Sequence, residues 1–156
     1  MRLETTRFGA IEIDGDAIIT FTQPILGFQD HRRFVLLPGP GDSLVKWLQS
    51  TDAGDLAFIV MDPRVVVSDY RIELTAHDRS ELAITRDDDI EVYTLVVVPK
   101  DPTQVRTNLR APILINRKQR LGKQAILDHS PYPIQFYLAQ SQRDGEQAQG
   151  GHACSC

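Results

Sequence analysis

The run Val92-Tyr93-Thr94-Leu95-Val96-Val97-Val98, closed by Pro99, consists almost wholly of β-branched and aromatic residues. Such side chains suit a pleated, half-buried surface and lose rotamer freedom in a helix. Outward from this run, the chain keeps returning to the same composition. Upstream lie Ala17-Ile18-Ile19-Thr20-Phe21, Phe34-Val35-Leu36-Leu37 and Leu56-Ala57-Phe58-Ile59-Val60, and downstream lies Ile113-Leu114-Ile115. Gly, Pro, Asn or Asp bounds each run, the residues that turn chains. Prolines such as Pro24, Pro38, Pro63, Pro99 and Pro112 have no N–H to give a sheet, so they belong at strand starts, edges and loops.

Local signals refine this β reading. Ile11-Glu12-Ile13, Asp14-Gly15-Asp16 and Ala17-Ile18-Ile19 predict a hairpin, because Asp-Gly readily supplies the positive φ angles of a tight turn. Arg120-Leu121-Gly122-Lys123, between Ile115 and Ala125-Ile126-Leu127, predicts a second. One short helix is expected at Asp78-Arg79-Ser80-Glu81, which has capping-box spacing, with Leu82 and Ile84 following. Many short strands at regular spacing point to an all-β domain, a barrel or a sandwich.

The chain of 156 residues has room for one such domain. After Gln140 the composition shifts to Ser141-Gln142-Arg143-Asp144-Gly145-Glu146-Gln147, with almost nothing to bury. The expected division is a β domain over 1–140 and a flexible polar tail over 141–156. Cys154 and Cys156 both fall in that tail, so no disulfide staples the body. His152, Cys154 and Cys156 offer three soft ligands where structural zinc sites usually take four, and a reduced thiol pair is the simpler reading. No cofactor is expected.

Charge narrows the function. Lys and Arg total 17 against 21 Asp and Glu, a formal net charge of −4. Bulk nucleic-acid binding rests on basic charge and is disfavoured. No apolar run approaches the ~20 residues of a membrane span. Met1 to Asp16 has no signal-peptide core, so a cytoplasmic protein is expected. There is no Gly-x-Ser-x-Gly elbow, phosphate loop or dinucleotide fingerprint. His31, His77, His129 and His152 are scattered, as solvated surface histidines are. Asp87-Asp88-Asp89 reads as a solvated acidic cap before a strand, since metal loops alternate their carboxylates. In Leu44-Val45-Lys46-Trp47-Leu48-Gln49-Ser50, read as a strand, Val45, Trp47 and Gln49 share one face.

Several of these segments, taken in order, resemble the FliW family of flagellar assembly factors. They are Phe8-Gly9, Phe21-Thr22-Gln23-Pro24-Ile25-Leu26-Gly27-Phe28, Trp47-Leu48-Gln49-Ser50, Leu56-Ala57-Phe58, Asp62-Pro63 and Tyr70. Thr107-Asn108-Leu109-Arg110-Ala111-Pro112-Ile113-Leu114-Ile115-Asn116, then Gly122 and Gln124, complete a pattern covering about residues 3–129. The resemblance implies a small closed or partly open antiparallel β-barrel with one short helix and no enzymatic activity. It implies two protein partners, flagellin and the RNA-binding translational regulator CsrA, with neither nucleic acid nor membrane contacted directly. Trp47, Gln49, Phe58, Asp62 and Tyr70 become candidate partner contacts, and Asp87, Asp88 and Asp89 a second, electrostatic set. Phe21, Gly27, Phe28, Asn108 and Pro112 are assigned to the scaffold. The competing reading is a small-ligand barrel or an enzyme of unknown substrate, since barrels can enclose pockets.

Overall fold

The computed structural model describes residues 1–39, 44–86 and 89–139. The tail 141–156 with Cys154 and Cys156 lies outside the described residues, as do Asp87 and Asp88. The strands are β1 (Arg2–Thr5), β2 (Gly9–Glu12), β3 (Ile19–Phe21), β4 (Arg33–Pro38), β5 (Val45–Ser50) and β6 (Ala57–Met61). Helix α1 (Ala76–Glu81) follows, then β7 (Ile90–Val97), β8 (Arg106–Thr107), β9 (Ile113–Asn116), β10 (Leu121–Gln124) and β11 (Phe136–Tyr137).

The barrel is closed. Its ring runs β7-β6-β5-β4-β3-β10-β9 and returns to β7. β7, the run that first marked the fold, makes closure possible by dividing one edge between two partners. Its residues Ile90 to Tyr93 pair with β9, while Val96 and Val97 pair with β8. Thr94 to Val96 pair with β6 on the opposite edge. Between β8 and β9 the chain leaves the sheet at Asn108, whose Oδ1 accepts from the Arg110 N–H at 2.9 Å, a bend-forming role. One pairing departs from the antiparallel expectation: β3 and β10 run parallel. They meet closely at Gly122, where a Cβ would sit 2.9 Å from the Phe21 ring.

Alternation fills the interior. Ile19, Phe21, Phe34, Leu48, Val60, Tyr93, Ile113 and Ile115 point inward and are almost fully buried. Each such apolar side chain contributes about 1.5–3 kcal/mol of burial. Two covers lie on the outside. The β1–β2 hairpin lays Leu3, Ile11 and Ile13 over Val35 and Leu37. Residues 66–84, including α1, place Ile72, Leu74, Leu82 and Ile84 over Leu114, Ala125, Ile90 and Val92.

Three local expectations are corrected. Asp14-Gly15 does not close a hairpin onto Ala17–Ile19; the Asp14 side chain accepts from the Asp16 N–H and caps a 3-10 turn at Gly15–Ala17. β2 pairs with β1 instead, and β3 takes β4 and β10. The helix begins earlier, because Thr75 and Asp78 form the reciprocal capping box and Glu81 is its last residue. The second hairpin exists, but Leu121 to Gln124 is its returning strand, and the turn falls on 117–120, with Arg120 at φ 54°.

Candidate functional site

The predicted partner residues occupy four different environments. Trp47 is half-buried on the outer face of β5, where the Arg7 guanidinium lies 4.1 Å above its ring and Phe8 meets it edge-on at 5.8 Å. Gln49, two residues on, shares that face but is fully buried. Its Nε2 lies within hydrogen-bonding reach of the carbonyls of Ser50 (3.0 Å), Gly54 (3.2 Å) and Leu56 (3.0 Å). It therefore holds the 50–56 turn together, while its Oε1 has no partner among the described residues.

Phe58 points the other way, into the barrel, packing edge-on against Phe28 at 4.9 Å and tilted against Phe34 at 6.0 Å. Tyr70 is buried beneath the 66–74 segment, donating to the Leu109 carbonyl at 2.7 Å and stacking on Tyr132 at 4.5 Å. Burial, and then the neighbouring Tyr132, push its phenol pKa up. Asp62 is exposed just after β6, and its Oδ1 accepts from the Arg64 N–H at 2.9 Å to start the Pro63–Val65 turn. These five residues do not form one surface. Trp47 and Asp62 reach solvent; Gln49, Phe58 and Tyr70 position backbone and core.

The reading of Asp89 as part of a solvated acidic cap is corrected. Asp89 is 7% exposed, its carboxylate lies 3.4 Å from the Lys118 ammonium, and its carbonyl accepts from the Arg117 N–H. It anchors the β9–β10 turn to the start of β7.

Strand register reveals what single-residue reading missed. Leu37, Trp47, Ile59, Val96, Thr107 and Phe136 are successive cross-strand partners from β4 to β11, so their side chains lie in one row on the outer face. Trp47, Ile59, Val96 and Phe136 in this row are only half-buried, and Val98 beyond it is 56% exposed. The signal lay in alternation: residues 57, 59 and 61, and 94, 96 and 98, take the face of Trp47 once the register is known. A cleft of about 300 Å³ lined by Thr6, Arg7, Gln49, Gly54, Asp55 and Ala57 opens beside this row.

The second cover carries a polar clamp that the sequence reading also missed. Lys123 of β10 is 6% exposed, and its Nζ lies 2.8 Å from Asp78 and 3.4 Å from Glu81 on α1. The Thr22 hydroxyl donates to Glu81, and the Asn116 side chain donates to the Leu82 carbonyl at 2.7 Å. Burial raises the Asp78 pKa, but the bond and charge of Lys123 and the Thr75 cap outweigh it, leaving a net lowering. For Glu81 the Thr22 bond is the largest influence and lowers the pKa, burial opposes it, and Lys123 lowers it further. Burial lowers the Lys123 pKa, and the two carboxylates reverse this to a net rise. Together with the exposed His77, whose Nε2 lies 2.7 Å from Glu81, these groups hold α1 down.

Among the described residues, no group of three His, Cys, Asp or Glu side chains is placed to hold a metal ion. No described helix is long and apolar enough to cross a membrane. The geometry defines a small closed β-barrel with a filled, twice-covered core that presents a half-exposed apolar row on its outer face. The chain belongs to the FliW family: the family model described as FliW protein matches residues 2–138. It is 37% identical over 134 residues to the flagellar assembly factor FliW of Bdellovibrio bacteriovorus, spanning 86% of this chain and 77% of that protein. The corresponding protein of Magnetococcus marinus is 37% identical and is covered over 97% of both chains. A crystal structure of a flagellar assembly factor FliW superposes with a TM-score of 0.81 at 35% identity, covering 88% of this chain and 96% of that one. These relatives are named as assembly factors, not as enzymes.

Proposed function

We propose that this chain is a bacterial cytoplasmic flagellar assembly factor that works by partner exchange, binding flagellin and the translational regulator CsrA. Bound to the regulator, it relieves repression of flagellin synthesis; captured by unexported flagellin, it leaves the regulator free to repress. No bond is made or broken, so two competing equilibria suffice. Besides the family match, the observation that carries this reading is the half-exposed outer row centred on Trp47. Aromatic residues within a partly exposed apolar strip are the usual energetic centres of protein interfaces. In this reading Trp47 is the principal contact, Asp62 a rim contact, and Gln49, Phe58 and Tyr70 keep the strands and turns beneath in place. The overall charge of −4, with Asp87 and Asp88 beside the anchored Asp89, favours approach to a basic RNA-binding protein, chiefly through the association rate.

Titration calorimetry of the purified protein against flagellin, against the regulator, and against both together tests this. Binding to each, with one partner displacing the other, is the expected result. Absence of binding to both at concentrations on the order of tens of micromolar rejects it. The ligand-barrel alternative gains nothing from the geometry, because the interior is packed with Phe21, Phe34, Leu48 and Phe58.

A further inference from the structure

The centre of the outer row is already occupied. The Arg7 guanidinium lies 4.1 Å above the Trp47 ring, within the range of a cation–π contact. That contact is all that holds it: Arg7 is exposed and forms neither hydrogen bond nor ion pair among the described residues. The backbone that carries it is fixed by contrast. The Phe8 N–H donates to the Thr5 hydroxyl at 2.8 Å, and that hydroxyl donates to the Gly9 carbonyl at 2.8 Å. The Thr6 N–H is bonded in turn to the Gly54 carbonyl. Rotation of one side chain therefore uncovers the ring, with no movement of the turn.

The groups around the ring favour a cation. Arg7 and Asp55 line the same cleft of about 300 Å³, yet the exposed Asp55 carboxylate has no partner among the described residues. Asp52, three residues earlier, is by contrast taken by the Arg33 guanidinium at 2.9 Å. Gln49, in the cleft wall, turns its Nε2 to three carbonyls, so the negative end of its amide is left without a donor. In a wall of low dielectric such a dipole acts strongly on a charge beside it. The electron-rich ring face, the carboxylate and the amide oxygen all select positive charge. The one cation at the cleft, Arg7, is also the one group there that is free to leave.

We propose that Arg7 is a placeholder on the Trp47 ring, and that an arginine side chain of a protein partner displaces it, stacking on the indole and pairing with Asp55. Resting on the reading of the Trp47 row as a partner surface, this names the group that the row recognises. Guanidinium suits the site better than ammonium, because it is planar, weakly hydrated and able to stack while its edge N–H groups reach a carboxylate. The contact already made by Arg7 shows that the ring accepts this geometry. In the exchange one cation–π contact replaces another, and the exposed Arg7 returns to water. The ion pair to Asp55 is the net gain, in a chain whose overall charge of −4 draws cations toward it. Dissociation of the partner restores the cover.

The test uses the full-length protein and acetylated, amidated Gly-X-Gly peptides in which X is arginine, lysine, leucine or citrulline, the uncharged isostere of arginine. Trp47 is the only tryptophan, so the nuclear magnetic resonance shift of its indole N–H reads the site in each titration, at constant ionic strength. The arginine peptide should bind more tightly than the lysine peptide, and at least about tenfold more tightly than the citrulline and leucine peptides. In the Arg7→Gln variant, which lacks the placeholder, the arginine peptide should bind at least about threefold more tightly than to wild type. In Asp55→Asn it should bind at least about threefold more weakly. Both substitutions fall at exposed positions. Equal binding of the citrulline or leucine peptide overturns recognition of a cation. Unchanged or weaker binding to Arg7→Gln overturns displacement, and unchanged binding to Asp55→Asn overturns the ion pair. Absence of a saturable shift in both wild type and Arg7→Gln overturns the site altogether. Because the probes are synthetic, none of these outcomes turns on whether flagellin or the regulator binds.

Discussion

The two covers of the barrel solve one problem by different means. The β1–β2 hairpin is sewn on by backbone. The Thr6 N–H donates to the Gly54 carbonyl at 3.0 Å, and aliphatic contact does the rest. The α1 cover has no strand to offer, and a helix as short as Ala76–Glu81 does not hold itself. It is fixed by buried charge, with Lys123 between Asp78 and Glu81 and the Asn116 amide at its C-terminal end. A backbone seam is insensitive to pH and salt but intolerant of volume. A charge clamp tolerates volume and answers to pH.

The largest effect is expected at the clamp. Lys123→Met removes the cation and leaves two mostly buried carboxylates facing each other, a loss of about 3 kcal/mol measured by denaturant unfolding at neutral pH. Acid should narrow that gap. The Asp78 and Glu81 pKa values are lowered by folding, so their contribution is present above the ordinary carboxylate range and drains away as pH falls below about 4. Wild type should therefore lose stability on acidification faster than the Lys123→Met variant. If the two lose stability in parallel, the clamp does not carry the difference between the covers.

The seam should break differently. A Cβ on Gly54 would lie 2.0 Å from the Glu4 carbonyl oxygen, a backbone atom that cannot swing aside. Gly54→Ala should cost about 2 kcal/mol, equally at neutral and acid pH. Exchange of the Leu3, Ile11 and Ile13 amides should accelerate more than that of the barrel strands. A cost that disappears at low pH would mean that this cover, too, is held by charge.

How far these features were legible depends on whether their cause is local. β7, the runs of β4 and β6, and the Asn108 bend follow from composition and flanking turn residues, which act within a few positions. The failed Asp14-Gly15 hairpin shows the limit: the same dipeptide caps a 3-10 turn once Ile11 and Ile13 are drawn onto Val35 from outside. Trp47 was legible as a strand residue sharing a face with Val45 and Gln49, but that this face is the outer one, and its row with Ile59, Val96 and Phe136, depend on register across five strands. Lys123, Asp78 and Glu81 are 42 and 45 positions apart, and nothing near Lys123 marks it as buried. Gln49 and Tyr70 were read as partner contacts, whereas the structure buries both against carbonyls of the scaffold, a placement that depends on residues far away in sequence.

Smaller effects separate the covers further. Tyr70→Phe leaves the stacked ring in place and deletes only the bond to the Leu109 carbonyl, so about 1 kcal/mol should be lost, independent of salt. The smallest change is expected where the hairpin cover itself employs a charge. Arg7 lies in solvent over Trp47, and an exposed cation–π contact is worth about 0.5 kcal/mol and weakens with ionic strength. Arg7→Gln should therefore shift the unfolding midpoint slightly in dilute buffer and hardly at all in concentrated salt, whereas the loss in Lys123→Met should persist in both. Trp47 is the only tryptophan, so indole fluorescence reports on its surroundings, the Arg7 contact among them. Its emission should move to longer wavelength in the variant as water takes the place of the guanidinium. An unfolding midpoint that falls as far in Arg7→Gln as in Lys123→Met would place a structural charge in both covers and erase the distinction between seam and clamp.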